Sequence, residues 1–116
     1  MMTFIQAIGR QEGFGASPTN IPTKRCNPGD IEEGRFAQSH GALPPDGNRF
    51  AAWPSAEAGF AAMRALLISA YLGLTVRQAL CKWAPPVEND VSQYEANIVL
   101  WTGMQPTDVL TESNIG

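Results

Sequence analysis

Apolar residues recur at helical spacing in four stretches of the chain. The first, Phe4, Ile5 and Ile8, precedes Glu12 by eight, seven and four positions, so all four residues share one helix face. Thr3 caps the start of a helix from about Thr3 to Glu12, and Gly13 ends it. A second stripe, Phe60, Met63, Leu66, Leu67, Ala70 and Tyr71, begins after an N-cap at Ser55, with Glu57 in its first turn, and stops at Gly73. The third runs Val76, Ala79, Leu80 and Trp83 behind a Thr75–Gln78 capping box and halts at "APP". The fourth runs Val91, Tyr94, Ile98 and Trp101 behind Asp90 and Gln93, closes at Gly103, and is followed by "PTDVL" as one last turn.

Between the first two helices the pattern breaks. "FGASPTNIPTKRCNPGD" and "HGALPPDGN" are rich in Pro, Gly, Asn and Ser and read as loops. "DIEEGRFAQ" has strand-like pieces around Glu33-Gly34 that predict a small hairpin, and "RFAAW" predicts a short extended piece. A helix, a loop-rich middle with a small sheet, and three further helices make an α+β domain spanning residues 1–116.

Composition removes several function classes. Net charge is −3 and the eight Lys and Arg are scattered, so the basic face that phosphate recognition needs is missing and nucleic acid is not an expected partner. "RALLISAYLGL", the longest strongly apolar stretch, is far too short to span a bilayer. The N-terminus lacks the basic start and apolar core of a signal peptide, so any export is expected by a non-classical route. Cys26 and Cys81 match no metal motif; they are either a disulfide or two free thiols. With one His and no Cys pair, neither a metal nor a cofactor is expected.

Glu12 is the residue that stands out. An apolar face should not end in a carboxylate, because burying the anion is costly. Burial and the negative end of the helix dipole both raise its pKa. A carboxyl protonated near neutral pH can donate a proton, as a glycosidase general acid does. The structural alternative is a partly exposed Glu at a frayed helix end.

"AIGRQEGFG", "RCNPGDI", "FAQSHGA", "RFAAWPSAEAGFAAMRALL" and "KWAPPVENDVSQY", in that order, resemble the lysozyme-like superfamily of peptidoglycan hydrolases. The likeness is to small phage and prophage lysozyme-like or lytic transglycosylase-like proteins. It covers about residues 4–104. The resemblance implies a mostly helical lysozyme-like α+β fold, with a small β-hairpin flanking a sugar-binding cleft. Glu12 would be the catalytic acid, and peptidoglycan glycan strands the partner, met at the bacterial cell wall in the periplasm or from a phage particle. The chain would be a monomer or a module of a larger assembly.

Several other residues are candidate substrate contacts, each with a plainer alternative. Asp30 departs from the usual Asn-Pro-Gly-Asn turn of these relatives; it either positions water or steadies an oxocarbenium-like state, or it binds turn amides. Asn27 either braces the turn or bonds an acetamido group, and His40 is either a base or a loop-packing residue. Asn89 and Tyr94 fall near the expected cleft, Tyr94 also lying on an apolar stripe. Glu32 and Glu33 are rival second carboxylates or a solvated hairpin. Trp53, Trp83 and Trp101 are sugar platforms or core. The rival function of a different class is a non-catalytic phage structural or cell-wall-binding module, since fold alone does not confer activity.

Overall fold

The computed structural model describes residues Met1–Gly116. Six helices follow one another: α1 (Phe4–Gln11), α2 (Ile21–Lys24), α3 (Arg35–Ser39), α4 (Ala56–Ala70), α5 (Val76–Trp83) and α6 (Val91–Thr102). The caps are those the residue types dictate. The hydroxyls of Thr3, Ser55 and Thr75 accept from the backbone N–H three residues on. At Thr3 and Thr75 the glutamine at that position reaches back to complete a capping box. Asp90 makes only half of its expected box, because the Gln93 amide turns to Asn97 instead.

α1 packs against α4 and α6, and α5 against α6. Their facing apolar residues merge into one core that includes Phe4, Ile8, Met63, Leu67, Leu80 and Ile98, all fully buried. Ala70, expected on the apolar face of α4, is exposed. "PTDVL" adds a turn and an extended residue rather than more helix: Val109 bridges to Thr75, and the Leu110 N–H donates to the Leu74 carbonyl. The C-terminal segment then returns to α1, where the Ile5 N–H, an orphan of the first turn, donates to the Ile115 carbonyl at 3.0 Å.

The expected α+β, lysozyme-like architecture with a β-hairpin is not what forms. The chain is 45% helix and 3% strand, with no sheet. The extended pieces around Glu32 and Phe50 do meet antiparallel, but in a single bridge. Pairing stops where the Glu33 N–H donates to the Arg49 carbonyl. Beyond that point Arg35–Ser39 winds into α3, burying Ala37, and Pro44 and Pro45 lack the N–H donors a second ladder would need.

One loop locks the middle of the chain to the helices. Pro28 is fully buried. A Cβ on Gly9 of α1 would lie 3.3 Å from the Pro28 ring, and one on Gly59 of α4 would lie 2.9 Å from it and 2.0 Å from the Cys26 carbonyl oxygen. Both helices therefore present glycine so that the backbone of residues 26–28 can pass at contact distance. Gly59→Ala is expected to lower the unfolding free energy by about 3 kcal/mol, the upper part of the usual range for overpacking. A chemical denaturation curve checks this, and an unchanged midpoint would show that the loop does not need this approach.

Candidate active site

Glu12 is the C-cap of α1, at the point where the helix runs into Gly13 with φ +100°. Its carboxyl is partly buried and faces two other segments. From α6, the Tyr94 hydroxyl donates to Glu12 Oε2 at 2.7 Å. From the loop after Pro28, the Asp30 carboxyl lies within hydrogen-bonding reach of it. Burial is the main reason that Glu12's pKa rises from its ordinary 4.5 to about 7; the Tyr94 hydrogen bond opposes the rise and Asp30 adds to it. Burial also raises Asp30, opposed by its bond to Glu12. Burial and the neighbouring carboxyls push the Tyr94 phenol well above its usual range, so it stays a donor at any working pH.

Asp30 is held there by backbone geometry. It has φ +50°, a left-handed conformation that Asp tolerates better than most residues. Asn27, fully buried, fixes the turn: its Nδ2 donates to the carbonyls of Ile31 (2.8 Å) and Ala51 (3.0 Å), and its Oδ1 accepts from the Ile31 N–H (2.9 Å). One oxygen of Asp30, Oδ1, is buried with no hydrogen-bond partner.

Glu12 and Asp30 open onto a cleft of about 450 Å³. It is lined by residues 29–32 and 49–50 and by Trp83–Pro85, Glu88 and Asn89. Trp83 meets Tyr71 edge to face, with ring centroids 5.6 Å apart, and a Cβ on Gly29 would stand 3.0 Å from its ring. Arg49 pairs with Glu32 and lies over the Phe50 ring. The cleft thus combines a carboxyl of raised pKa, half-buried aromatic rings and hydrogen-bonding side chains, the equipment for a polar ring-shaped substrate.

Of the residues singled out from the sequence, Glu12, Asp30, Tyr94 and Asn89 come together here. Tyr94 does both things weighed for it: its ring is buried in the core and its hydroxyl reaches the acid. Asn89 lines the cleft while its Nδ2 donates to the Pro85 carbonyl. Asn27 and His40 do not join them. Asn27 spends both amide hydrogens on backbone carbonyls and is sealed from solvent, so it braces the turn. His40 caps α3, stacked on Phe36 with centroids 4.1 Å apart, and its Nδ1 lies 2.8 Å from the Phe36 carbonyl oxygen. Among the rival carboxylates, Glu32 lines the cleft and Glu33 accepts from the Gln38 amide. Trp53 is core, donating to the His40 carbonyl, and Trp101 carries the Arg10 guanidinium 4.3 Å above its ring. Arg49, Phe50 and Glu88 lie in stretches the sequence marks as an extended piece and as motifs, but none stands out there as a site residue, because nothing local shows which of them faces a cleft. Cys26 and Cys81 are free thiols, and no three His, Cys, Asp or Glu side chains gather as a metal site would require. No helix is long and apolar enough to cross a membrane.

Two measurements follow from the acid's surroundings. Folded Glu12 holds its proton up to about pH 7, whereas the unfolded chain releases it near the ordinary value of 4.5. That stabilisation is complete below the unfolded value and is lost as pH rises through the folded one; the shift corresponds to something on the order of 3 kcal/mol. Glu12→Gln should therefore gain stability relative to wild type as pH rises from about 4.5 to about 7. Thermal melts across that window check it, and a constant difference would refute the burial argument. Tyr94→Phe removes the donor that favours the carboxylate, so the Glu12 midpoint read by carboxyl ¹³C NMR should move further up; a downward move would contradict the geometry.

No protein-family model, curated protein or solved structure matches the chain.

Proposed function

We propose that this protein cleaves glycosidic bonds in the glycan strands of bacterial peptidoglycan, with Glu12 as the general acid. The observation that carries the reading is a half-buried carboxyl that accepts from a phenol at 2.7 Å and lines a cleft with aromatic rings; burial raises its pKa. The choice of substrate rests on the resemblance of the five motifs to peptidoglycan hydrolases. The expected hairpin is not part of this reading.

Tyr94 occupies Glu12 Oε2, so the acid proton sits on Oε1. From there it passes to the glycosidic oxygen as the C1–O bond breaks, and the departing sugar leaves as an alcohol. The positive charge at C1 is then captured in one of two ways. Water attacks and returns a proton to Glu12, leaving a reducing end, or the C6 hydroxyl of the same muramoyl residue attacks and leaves a 1,6-anhydro ring. Either route regenerates the acid.

Digestion of purified cell-wall sacculi, with mass spectrometry of the released fragments, tests the proposal. Fragments one water lighter than reducing-end products identify the intramolecular route. The rate should fall as pH rises through about 7, the value at which Glu12 loses its proton. Glu12→Gln keeps the side chain's shape but removes the transferable proton, and should lower cleavage by about 10²–10⁴-fold while the fold is retained. A fully active Gln variant would remove Glu12 as the acid. A folded wild-type protein that binds sacculi and releases nothing would make the chain a wall-binding module.

A further inference from the structure

Asp30 has no assigned task, although its placement is costly. It takes up a left-handed backbone conformation in a turn locked by Asn27, with one carboxyl oxygen buried and unpartnered and the carboxyl turned toward that of Glu12. We propose that Asp30 is a positioning residue: it shares one proton with Glu12 and holds that proton on the acid until the substrate's glycosidic oxygen takes it. This deepens the glycosidase reading and rests on it.

The geometry excludes the two roles a second carboxylate usually has. A retaining glycosidase places its carboxyls about 5–5.5 Å apart, and an inverting one about 6.5–9.5 Å apart, so that the sugar and any water fit between them. Carboxyls within hydrogen-bonding reach of each other leave no such gap, so Asp30 can neither attack C1 across the bond nor activate a water on its far face. Two carboxyls in contact also cannot both ionise cheaply, so between them they retain a proton. Tyr94 occupies the other oxygen of Glu12, which leaves Oε1 as the atom that carries the proton.

The other groups around Glu12 make the assignment specific. Tyr94 of α6 donates to it and therefore favours its anion. Tyr71, Glu32, Arg49 and Glu88 share the cleft, and Arg49 is already paired with Glu32. Asp30 is the only one of these whose carboxyl bonds to Glu12. When the acid gives up its proton, the new Glu12 anion stands beside the Asp30 carboxyl. That favours prompt recapture of a proton from whichever hydroxyl attacks C1.

The test uses Asp30→Asn and Asp30→Gly in the full chain. Both residues tolerate φ +50°, so neither forces the turn open. Asn offers an N–H that stabilises the Glu12 anion, and Gly removes the partner altogether. Carboxyl ¹³C NMR of Glu12, without substrate, is expected to show its titration midpoint falling by about one unit or more in both variants. The alkaline limb of the rate profile on sacculi should fall with it. An unchanged midpoint overturns the proposal, and so does a midpoint that moves while the limb stays in place. A wild-type protein that leaves sacculi intact at every pH overturns the glycosidase reading, whereas the NMR midpoint still decides whether the two carboxyls share a proton.

Discussion

The buried carboxamide of Asn27 is the interaction on which the rest of the structure depends. Residues 26–30 contain two non-glycine residues at positive φ, Cys26 and Asp30, each of which costs about 1–2 kcal/mol. Such a conformation persists only where its surroundings over-determine it. Asn27 provides this by joining three backbone groups on two segments at once, the N–H and carbonyl of Ile31 and the carbonyl of Ala51. With the turn closed, Pro28 seats between Gly9 and Gly59, and the loop becomes the spacer across which α1 and α4 pack. The same closure carries Asp30 to Glu12. A polar side chain inside a core is destabilising unless satisfied; here its satisfaction organises both the packing and the site.

Glu12 reverses that logic. It lies at the edge of the core, where α1, α6 and the loop meet, and its surroundings do not neutralise it with a cation. Arg10, two residues earlier on α1, is stacked on Trp101. Arg25 is engaged with Asp46 and the Phe50 carbonyl, and Arg49 with Glu32. The carboxyl is left with a neutral phenol and another carboxyl as partners, and both are compatible with a retained proton. A stable fold would gain by placing Leu or Gln here. A carboxyl whose pKa is raised by burial and which lines a cleft is instead suited to giving a proton away.

The cleft itself is a by-product of how the loops close. The single Glu32–Phe50 bridge brings Arg49 and Phe50 beside Asp30, and the stop at Ala84–Pro85 lets Trp83 and Asn89 face them. No sheet is needed for this. Two extended pieces pinned by one buried amide hold the wall that a hairpin would otherwise have supplied.

The sequence by itself determined the four longer helices, their caps and Glu12, whereas α2 and α3 form in stretches that read as a loop and a hairpin. The longer helices and their caps depend on nearest neighbours along the chain: a hydroxyl three residues before its N–H, apolar side chains every third or fourth position, a glycine where the backbone turns left-handed. Glu12 was legible for the same reason, as a carboxyl out of place on an apolar face. Tertiary structure alone decided what that carboxyl meets. Tyr94 is 82 residues away in sequence and Asp30 sits in a turn whose shape depends on the distant Ala51 carbonyl, so no spacing rule reaches either contact. It also decided against the hairpin. "DIEEGRFAQ" has local strand character, but partners, not propensity, make a strand. Once Ala37 could be buried by a single helical turn and Pro44-Pro45 withheld their donors, one bridge was all the pairing that remained.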